Sequence, residues 1–387
     1  MIGFIFLLLL FVINNRDAYS IKNKYFNPTF IHPTKITHSS KIQSLSSSSS
    51  FTTPQINVGI YNIPGTDPDR SNKINQDSYF HFQNNKFTFI GVLDGHGLKG
   101  HVVSNYFANQ IPFYLQNAHA HANTDTDTDA DTNMTQSIID AFEQSHQDAI
   151  HNQSIPAGRS GTTCVMCAIE NIQNIQNKTN LFHTVRLYIA NVGDSRAILG
   201  IPPSTLISDP NLNPNINTNT NTNTNTNTNT TQWHSFSLTN ETTTQIPDEK
   251  QRINNGEGRI DSMGNVFYGP VGIAMTRALG DAVMLRAGII PTPIIHTYDL
   301  TFVPSNDGKD IHGMILVLGT DGIFDVLTNQ QVVDMVVSYD HQDDHNHDYN
   351  VQTIAKCIAN QAKIQWQAGL PMDVKSDDIT CALIRIH

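Results

Sequence analysis

The sequence has few charges, few cysteines and no cluster of basic residues. Only 15% of its 387 residues are charged, and 34 acidic against 23 basic residues give a net charge of −11. Such a chain repels phosphate backbones, and without a Lys/Arg cluster it offers no groove for nucleic acid. Four cysteines are too few for a disulfide framework in a chain of this length. The longest apolar run, residues 3–13, reaches only about half-way across a bilayer core, so no stable membrane span is predicted.

Residues 1–55 have the composition of targeting segments. The run at 3–13 has the length of a signal-peptide core, and Ala18-Tyr19-Ser20 offers a cleavage zone. Residues 21–55 contain no acidic side chain and are rich in Ser and Lys, as transit peptides are. We therefore expect a signal-peptide-like segment at 1–20 and a transit-like or disordered segment at 21–55. This order suggests entry to the secretory route with a secondary plastid as a destination; simple secretion and a misassigned start codon are the alternatives.

Residues 56–387 are predicted to form one domain of strands and helices. Apolar or alternating runs predict strands at 87–93, 185–192, 197–201, 233–238 and 314–318. Helices are predicted from residue 98 onwards, at 134–152 and at 349–367. The last helix has one predicted buried face, at Val351, Ile354, Ala355, Ile358, Ala359 and Ala362. Short turns between the strands favour antiparallel pairing over an alternating strand–helix–strand arrangement.

Two low-complexity insertions interrupt this domain, near 118–133 and 208–232. The second contains seven Asn-Thr repeats between two predicted strands, and we expect the enlarged tip of a hairpin. A longer loop costs little closure entropy. The first contains Thr-Asp repeats that resemble the start of an EF-hand loop. Ala130 and Gln136 stand where such a loop needs Gly and Glu, so we expect a solvated linker instead of a calcium site.

The pair Cys164-x-x-Cys167 has the spacing of a redox motif or half of a zinc site. It lies in an apolar run that is predicted to be a strand. A spacing of three residues places the two thiols on opposite faces of a strand. We therefore expect both cysteines to be core residues.

Four aspartates lie next to the ends of predicted strands: Asp77, Asp94, Asp321 and Asp377. An aspartate there costs free energy to desolvate unless a cation or a hydrogen-bond donor meets it. Several converging Asp, with no His or Cys among them, select a hard ion such as Mg²⁺ or Mn²⁺. The glycines that follow Asp94 and Asp321 allow a sharp turn. Asp-Gly is also a common turn pair, so one such pair alone would indicate only a turn.

Seven phrases of the sequence occur in the order known from one family. They are Asn75-Gln76-Asp77, Val92-Leu93-Asp94-Gly95-His96-Gly97, Ser160-Gly161-Thr162-Thr163, Ala190-Asn191-Val192-Gly193-Asp194-Ser195-Arg196-Ala197, Ala274-Met275-Thr276-Arg277-Ala278-Leu279-Gly280-Asp281, Asp321-Gly322-Ile323-Phe324-Asp325-Val326-Leu327 and Asp377-Asp378-Ile379-Thr380. With them the chain resembles the metal-dependent protein phosphatase (PPM) family, the type-2C serine/threonine phosphatases, from about Val58 to Ile386. The resemblance implies an α+β fold, a four-layer α-β-β-α sandwich of two antiparallel sheets flanked by helices, with metals in a cleft at one end.

The resemblance also implies a set of metal ligands for two Mn²⁺ or Mg²⁺ ions. Asp94 would bridge the two ions, and the Gly95 carbonyl would bind one of them. Asp321 and Asp377 would hold the first metal. Asp77 would contact the site directly or through water.

Two further residues have implied roles in catalysis. Asp194 matches the ligand of a third, looser metal, and His96 matches the proposed general acid. The implied reaction hydrolyses phosphoserine and phosphothreonine in proteins by direct attack of a metal-bridging water or hydroxide. Two cations neutralise the phosphate and lower the pKa of that water, and an imidazole can protonate the leaving alkoxide. This reaction needs no cysteine, so Cys164 is not expected to be a nucleophile.

The sequence departs from the family at the expected phosphate contact. Asn72 stands where the family has a substrate-phosphate Arg, and Arg70 or Lys73 is the expected substitute. Gln76 replaces a usual acidic residue, which removes one water-holding carboxylate.

Two other motifs are expected to be structural. Ser160–Thr163 is predicted to start a strand that packs under the site. Arg277 and Asp281, four residues apart, are expected to pair locally or to cap a helix and not to act directly in catalysis.

The leading hypothesis is an active phosphatase that acts on phosphoproteins as a monomer. The alternative is a catalytically inactive PPM-fold scaffold, or pseudophosphatase. Such proteins typically lose metal carboxylates, whereas the four aspartates are all present here. A metal-dependent nuclease would fit the carboxylates but not the acidic chain.

Overall fold

The computed structural model describes residues 55–67, 73–120, 130–172, 183–202, 232–302, 313–340, 350–368 and 375–386. The predicted targeting segments, most of both insertions, and Arg70 lie outside the described residues. The targeting segments and the start of the domain therefore stay predictions. Among the helices that are described, none is both long enough and apolar enough to span a membrane.

The described chain alternates irregularly between strands and helices. The strands are β1 (Ile56–Ile63), β2 (Ser78–Gln83), β3 (Phe87–Leu93), β4 (Gly95–His96), β5 (Gly161–Thr162), β6 (Cys164–Ile172), β7 (His183–Val192), β8 (Arg196–Ile201), β9 (His234–Ser237), β10 (Arg259–Ile260), β11 (Val266–Tyr268), β12 (Val271–Ile273), β13 (Leu279–Gly280), β14 (Ile294–Phe302), β15 (Met314–Gly319) and β16 (Ile379–Ile386). The helices are α1 (Gly100–Ala120), α2 (Ala130–His151), α3 (Pro247–Asn255), α4 (Asp321–Phe324), α5 (Asn329–Asp340) and α6 (Val351–Gln367), and a 3₁₀ turn spans Ala282–Ala287.

Two five-stranded antiparallel sheets form the centre of the domain. One has the strand order β1-β16-β15-β8-β9 and the other β14-β7-β6-β3-β2. A short sheet, β13-β5-β4, and a second one, β10-β11-β12, complete the strand pairing. The β8–β9 hairpin, in which Ile198 pairs with Ser237, confirms the predicted strand pair on either side of the Asn-Thr repeats.

Side-chain alternation on the strands builds separate apolar layers. On β3, Ile90 and Val92 point into the core between the two sheets. Phe89 and Leu93 on the same strand point outward, into a core shared with α1 and α2. A third core joins the other sheet to α5 and α6. The predicted four-layer α-β-β-α sandwich is confirmed.

Several local predictions are also confirmed. The six residues predicted as the buried face of α6 are its buried residues. Cys164 packs into the outer core beside α1, whereas Cys167 packs between the sheets. Both are free thiols and burial raises the pKa of each, so neither is a reactive thiolate.

Candidate functional site

The pairing of β2 with β3 brings Asp77 and Asp94 to one end of the sandwich. Ser78, the first residue of β2, pairs with Leu93, the last residue of β3. Asp77 precedes Ser78 and Asp94 follows Leu93, so the two aspartates leave the same edge of the sheet.

The second sheet brings two more aspartates to the same end. Gly319, at the end of β15, pairs with Cys381 near the start of β16. Asp321 follows the first strand and Asp377 precedes the second, so both lie at that end. Asp194 lies in the short connection from β7 to β8, which passes from one sheet to the other.

The pKa of Asp94 shows that these carboxylates are close to one another. Burial raises the pKa of Asp94 well above its ordinary value, and nearby carboxylates raise it further. In order of effect these are Asp321, Asp77, Asp377 and Asp194. All five predicted aspartates therefore interact at one place.

The same surroundings also raise the pKa values of Asp321 and Asp194. Burial, with repulsion from Asp194 and Asp377, raises the pKa of Asp321 to about 7, although a hydrogen bond with Asp94 opposes the rise. Burial raises the pKa of Asp194 to about 6, although the nearby His96 opposes it. Desolvated carboxyl groups that repel one another hold their protons to higher pH than free carboxyl groups unless a cation compensates their charge.

Several carboxylate oxygens at this end are available to a ligand. Among the described residues, Asp77 Oδ1, Asp194 Oδ1 and Asp321 Oδ1 are buried without a hydrogen-bond partner. The other oxygen of Asp77 accepts hydrogen bonds from Thr320 Oγ1 (3.1 Å) and Thr380 Oγ1 (2.7 Å). Unpaired buried oxygens are costly, and a donor set of oxygens suits a hard divalent ion. In the described part of the chain, no three His, Cys, Asp or Glu side chains are arranged around one point as metal ligands.

Backbone hydrogen bonds fix the loop that carries Asp94. Its N–H donates to Thr163 Oγ1 (3.0 Å), and its carbonyl accepts from Thr163 N–H and Thr162 Oγ1, both at 2.9 Å. These contacts confirm that the Ser160–Thr163 phrase supports the site. The Gly95 N–H donates to the Gln76 carbonyl (3.1 Å), and a Cβ on Gly95 would lie only 2.5 Å from that oxygen. Only glycine allows the two segments to approach this closely.

A short sheet holds His96 against Asp281. His96 on β4 pairs with Gly161 on β5, and β5 also pairs with β13, which ends immediately before Asp281. The His96 Nε2 atom lies 2.5 Å from Asp281 Oδ2, and Asp281 is 1% exposed. Burial lowers the pKa of His96, but the Asp281 carboxylate outweighs burial, so the pKa is raised. Asp281 has a φ of 44°, a left-handed conformation that is unusual for a non-glycine residue and is often found at functional sites.

The expected local role of Arg277 and Asp281 is wrong. Asp281 binds His96, and it precedes the 3₁₀ turn without capping it through its side chain. Arg277 instead forms an ion pair with the buried Glu249 (2.6 Å) and donates to the Thr292 carbonyl. Residues four apart meet only on a helix, and this segment is extended.

Lys73 lies against the carboxylates that precede β16. Its Nζ atom is 3.3 Å from Asp377 Oδ1 and 3.2 Å from Asp378 Oδ1. Burial lowers the pKa of Lys73, but the two carboxylates outweigh burial and raise it, so the ammonium stays charged. Lys73 retains an exposed fraction of 15% and lines the same cleft as Asp94.

One cleft of about 660 Å³ collects most of these side chains. Its lining includes Lys73, Asp94, Gly95, His96, Asp194, Asp281, Asp321 and Asp377. Asp77 is 7% exposed and interacts with the cluster through its effect on the pKa of Asp94. The arrangement can bind cations on the acidic floor of the cleft and hold a proton on His96 beside it.

Sequence reasoning missed three acidic residues, although each lies in a motif quoted above. Asp281 is the partner of His96. Asp378 is 3% exposed and accepts hydrogen bonds from the Gly65 N–H (2.7 Å) and the Gln76 N–H (2.9 Å), which ties the segment before β2 to that before β16. Burial raises the pKa of Asp325, and repulsion from Asp377 adds to the rise, so Asp325 borders the cluster. Its spacing of four from Asp321 was the available signal.

Relatives in curated collections are protein phosphatases. The chain is 27% identical over 301 residues to "Probable protein phosphatase 2C 72" of Arabidopsis thaliana, covering 75% of this chain and 74% of that protein. It is 26% identical to "Probable protein phosphatase 2C 64" of Oryza sativa, covering 77% of this chain and 57% of that protein.

Solved structures share the fold. A serine-threonine phosphatase 2C from Toxoplasma gondii aligns with a TM-score of 0.59 at 15% identity, over 87% of this chain and 97% of that one. A sex-determining protein from C. elegans aligns with a TM-score of 0.54 at 16% identity, over 87% of this chain and 66% of that one.

The family model for protein phosphatase 2C matches residues 70–206 and 223–365, which is most of the chain. The resemblance found in the motifs is thereby confirmed, and an inactive scaffold is not favoured. The chain belongs to the protein phosphatase 2C family, which makes it a protein serine/threonine phosphatase.

Proposed function

We propose that the chain hydrolyses phosphoserine and phosphothreonine in proteins with two Mn²⁺ or Mg²⁺ ions held by the acidic floor of the cleft. The observation that carries this proposal is that Asp94, Asp194, Asp321 and Asp377 line one cleft, with Asp77 near enough to raise the pKa of Asp94. The buried oxygens without partners fit an oxygen-binding dication. The proposed ligands are Asp94 as the bridge, the Gly95 carbonyl, Asp321, Asp377, Asp77 directly or through water, and Asp194 for a third ion.

The residues around the floor have separate tasks. When bound, two divalent cations would neutralise the phosphate and lower the pKa of the water molecule that attacks phosphorus directly. Thr162 and Thr163 hold the Asp94 backbone, which fixes the loop that carries its carboxylate. Thr320 and Thr380 fix one oxygen of Asp77.

His96 is the proposed general acid for the leaving alkoxide. Its Nε2 atom contacts Asp281, which leaves Nδ1 as the nitrogen that donates the proton. Because the carboxylate raises the pKa of His96, the imidazolium persists to higher pH than for a free histidine. Asp281 is thus a positioning residue that acts through His96.

Lys73 is the proposed contact to the substrate phosphate, with Arg70 as a second candidate. The Lys73 ammonium lines the cleft and is charged, which strengthens a hydrogen bond to phosphate. Its ion pairs with Asp377 and Asp378 fix its position beside the proposed metal ligands.

Metal dependence tests the proposal. The full chain should hydrolyse a phosphothreonine peptide with Mn²⁺ and lose this activity in EDTA. Asp94→Asn keeps the shape of the side chain but removes its charge, and should lower kcat by roughly 10²–10³-fold. The control Asp299→Asn makes the same substitution at the surface pair with Arg186 and should keep kcat. Full activity in EDTA, or in Asp94→Asn, would contradict the proposal.

A comparison of two substrates with different leaving groups tests whether His96 is the general acid. His96→Asn should lower kcat for a phosphothreonine peptide by about 10²–10⁴-fold, because the alkoxide needs a proton. It should affect p-nitrophenyl phosphate much less, because nitrophenolate leaves unprotonated. Asp281→Asn should move the high-pH limb of kcat for the peptide to lower pH, since the carboxylate no longer raises the pKa of His96. Equal losses on both substrates, with an unmoved limb, would show that His96 has another role.

The stability of the metal-free protein should depend on pH. Between the ordinary aspartate pKa of 3.8 and the pKa of about 7 for folded Asp321, the folded state binds more protons than the unfolded state. The free energy of unfolding therefore falls as pH rises through this window. In EDTA, the slope of Tm against pH should be more negative for the wild type than for Asp321→Asn, and Mn²⁺ should raise the wild-type Tm most at the high-pH end. Identical slopes of Tm against pH for the two proteins, with no effect of Mn²⁺ on Tm, would contradict the proposal that metal ions compensate the charge of these aspartates.

A Lys73→Ala variant separates phosphate binding from support of Asp377. If Lys73 contacts phosphate, KM for p-nitrophenyl phosphate at saturating Mn²⁺ should rise by about tenfold with a smaller change in kcat. Lys363→Ala, on α6, is the control. An unchanged KM with a higher Mn²⁺ requirement would assign Lys73 to holding Asp377 alone.

A further inference from the structure

The mouth of the cleft carries exposed positive charges although the chain has a net charge of −11. Lys99, Arg159 and Lys375 line the cleft and are exposed. Within the part of the chain that the structure describes, none of the three is engaged in an ion pair. They differ in this from Lys73, whose charge is met by two carboxylates.

Lys99 and Arg159 form one corner of this mouth. The Lys99 N–H donates to Ser160 Oγ (3.0 Å), and a Cβ on Gly97 would lie 2.7 Å from the Arg159 carbonyl oxygen. The two loops are therefore in contact. Leu98, between the two contacts, is 81% exposed, so this corner projects into solvent.

Lys375 belongs to a different wall of the cleft. The next residue, Ser376, exchanges backbone hydrogen bonds with Thr66 at 2.9 and 3.2 Å, which fixes the start of this segment beside Asp377. Asp67 also lines this wall, but it already has an interaction partner. Unpaired positive charge therefore stands on two walls around the acidic floor.

We propose that this cationic rim, defined as Lys99, Arg159 and Lys375, selects phosphoproteins with acidic side chains next to the phosphorylated residue. The inference rests on the proposed function, which brings the phosphate to the floor of the cleft. Flanking residues of the substrate then lie at the mouth. Charges of opposite sign at a cleft mouth raise the association rate and suppress wrong partners. On a chain that otherwise repels anions, the rim is what admits an acidic segment.

Peptide binding tests the rim. The probes are two fluorescein-labelled peptides with a non-hydrolysable phosphonate analogue of phosphoserine, one flanked by Glu and the other by Gln. With the full chain and Mn²⁺, fluorescence anisotropy should give an affinity about tenfold higher for the Glu peptide at low salt, and this preference should shrink at high salt. The variant Lys99→Gln/Arg159→Gln should lose most of the preference. Lys250→Gln/Lys363→Gln removes the same charge outside the cleft and should retain it.

The outcomes separate the rim from the proposed function. Two results would overturn the proposed role of the rim: the wild type binds both peptides with equal affinity, or the rim variant loses the same amount of affinity for both. The second result would mean that the rim cations contact the phosphate itself. Hydrolysis of a phosphothreonine peptide is then measured on the same wild-type protein. If hydrolysis is absent but the salt-dependent preference for the Glu peptide is observed, the proposed function is wrong and the proposed role of the rim is supported. If hydrolysis is observed without this preference, the proposed function is supported and the proposed role of the rim is wrong.

Discussion

Mutual repulsion among buried and partly buried aspartates at one end of the sandwich is the constraint on which the rest of the site depends. Burial alone raises the pKa of Asp94, and its neighbours raise it further. The fold keeps these groups together because each one follows or precedes a core strand that cannot move without breaking a sheet. Divalent cations are the natural compensation for such a cluster. Metal dependence in this chain would thus follow from the repulsion among its aspartates as well as from the chemistry of phosphate esters.

The polar side chains around the cluster mainly form hydrogen bonds that hold the surrounding backbone and the aspartates in place. Threonine hydroxyls hold the loop at Asp94 and one oxygen of Asp77. Asp378 binds two backbone N–H groups and the Lys73 ammonium, and so joins the segments that lead into β2 and β16. A buried charge paired in this way is costly to disturb. The clustered aspartates therefore lie on chain segments that these hydrogen bonds hold in place.

The features that could be predicted from the sequence are those that depend on local pattern. The strand at β3, the buried face of α6 and the opposite faces of Cys164 and Cys167 all follow from periodicity. The aspartates at strand ends followed from the cost of burying a charge. That they meet could be inferred only from the resemblance, because register between strands is set by packing across the whole sheet.

The contact between His96 and Asp281 could not be predicted from local sequence pattern. It joins residues 185 positions apart and depends on three short strands that carry no periodicity of their own. The spacing of Arg277 and Asp281 suggested a helix, whereas the chain there is extended and turns through a left-handed Asp281. Lys73 was proposed as a substitute for the phosphate-binding Arg of the family, but its two carboxylate partners become evident only when the segments before β2 and β16 are brought together.

The most direct test of the central claim is the number of protons released when Mn²⁺ binds. Calorimetric titration of the full chain at about pH 6, in two buffers with different ionisation enthalpies, measures this number. Because the pKa values of Asp321 and Asp194 are about 7 and about 6, ion binding should displace protons at that pH and displace fewer at higher pH. Asp94→Asn should weaken both the binding and the release. Tight Mn²⁺ binding without proton release, unchanged in Asp94→Asn, would place the ions elsewhere and contradict the account.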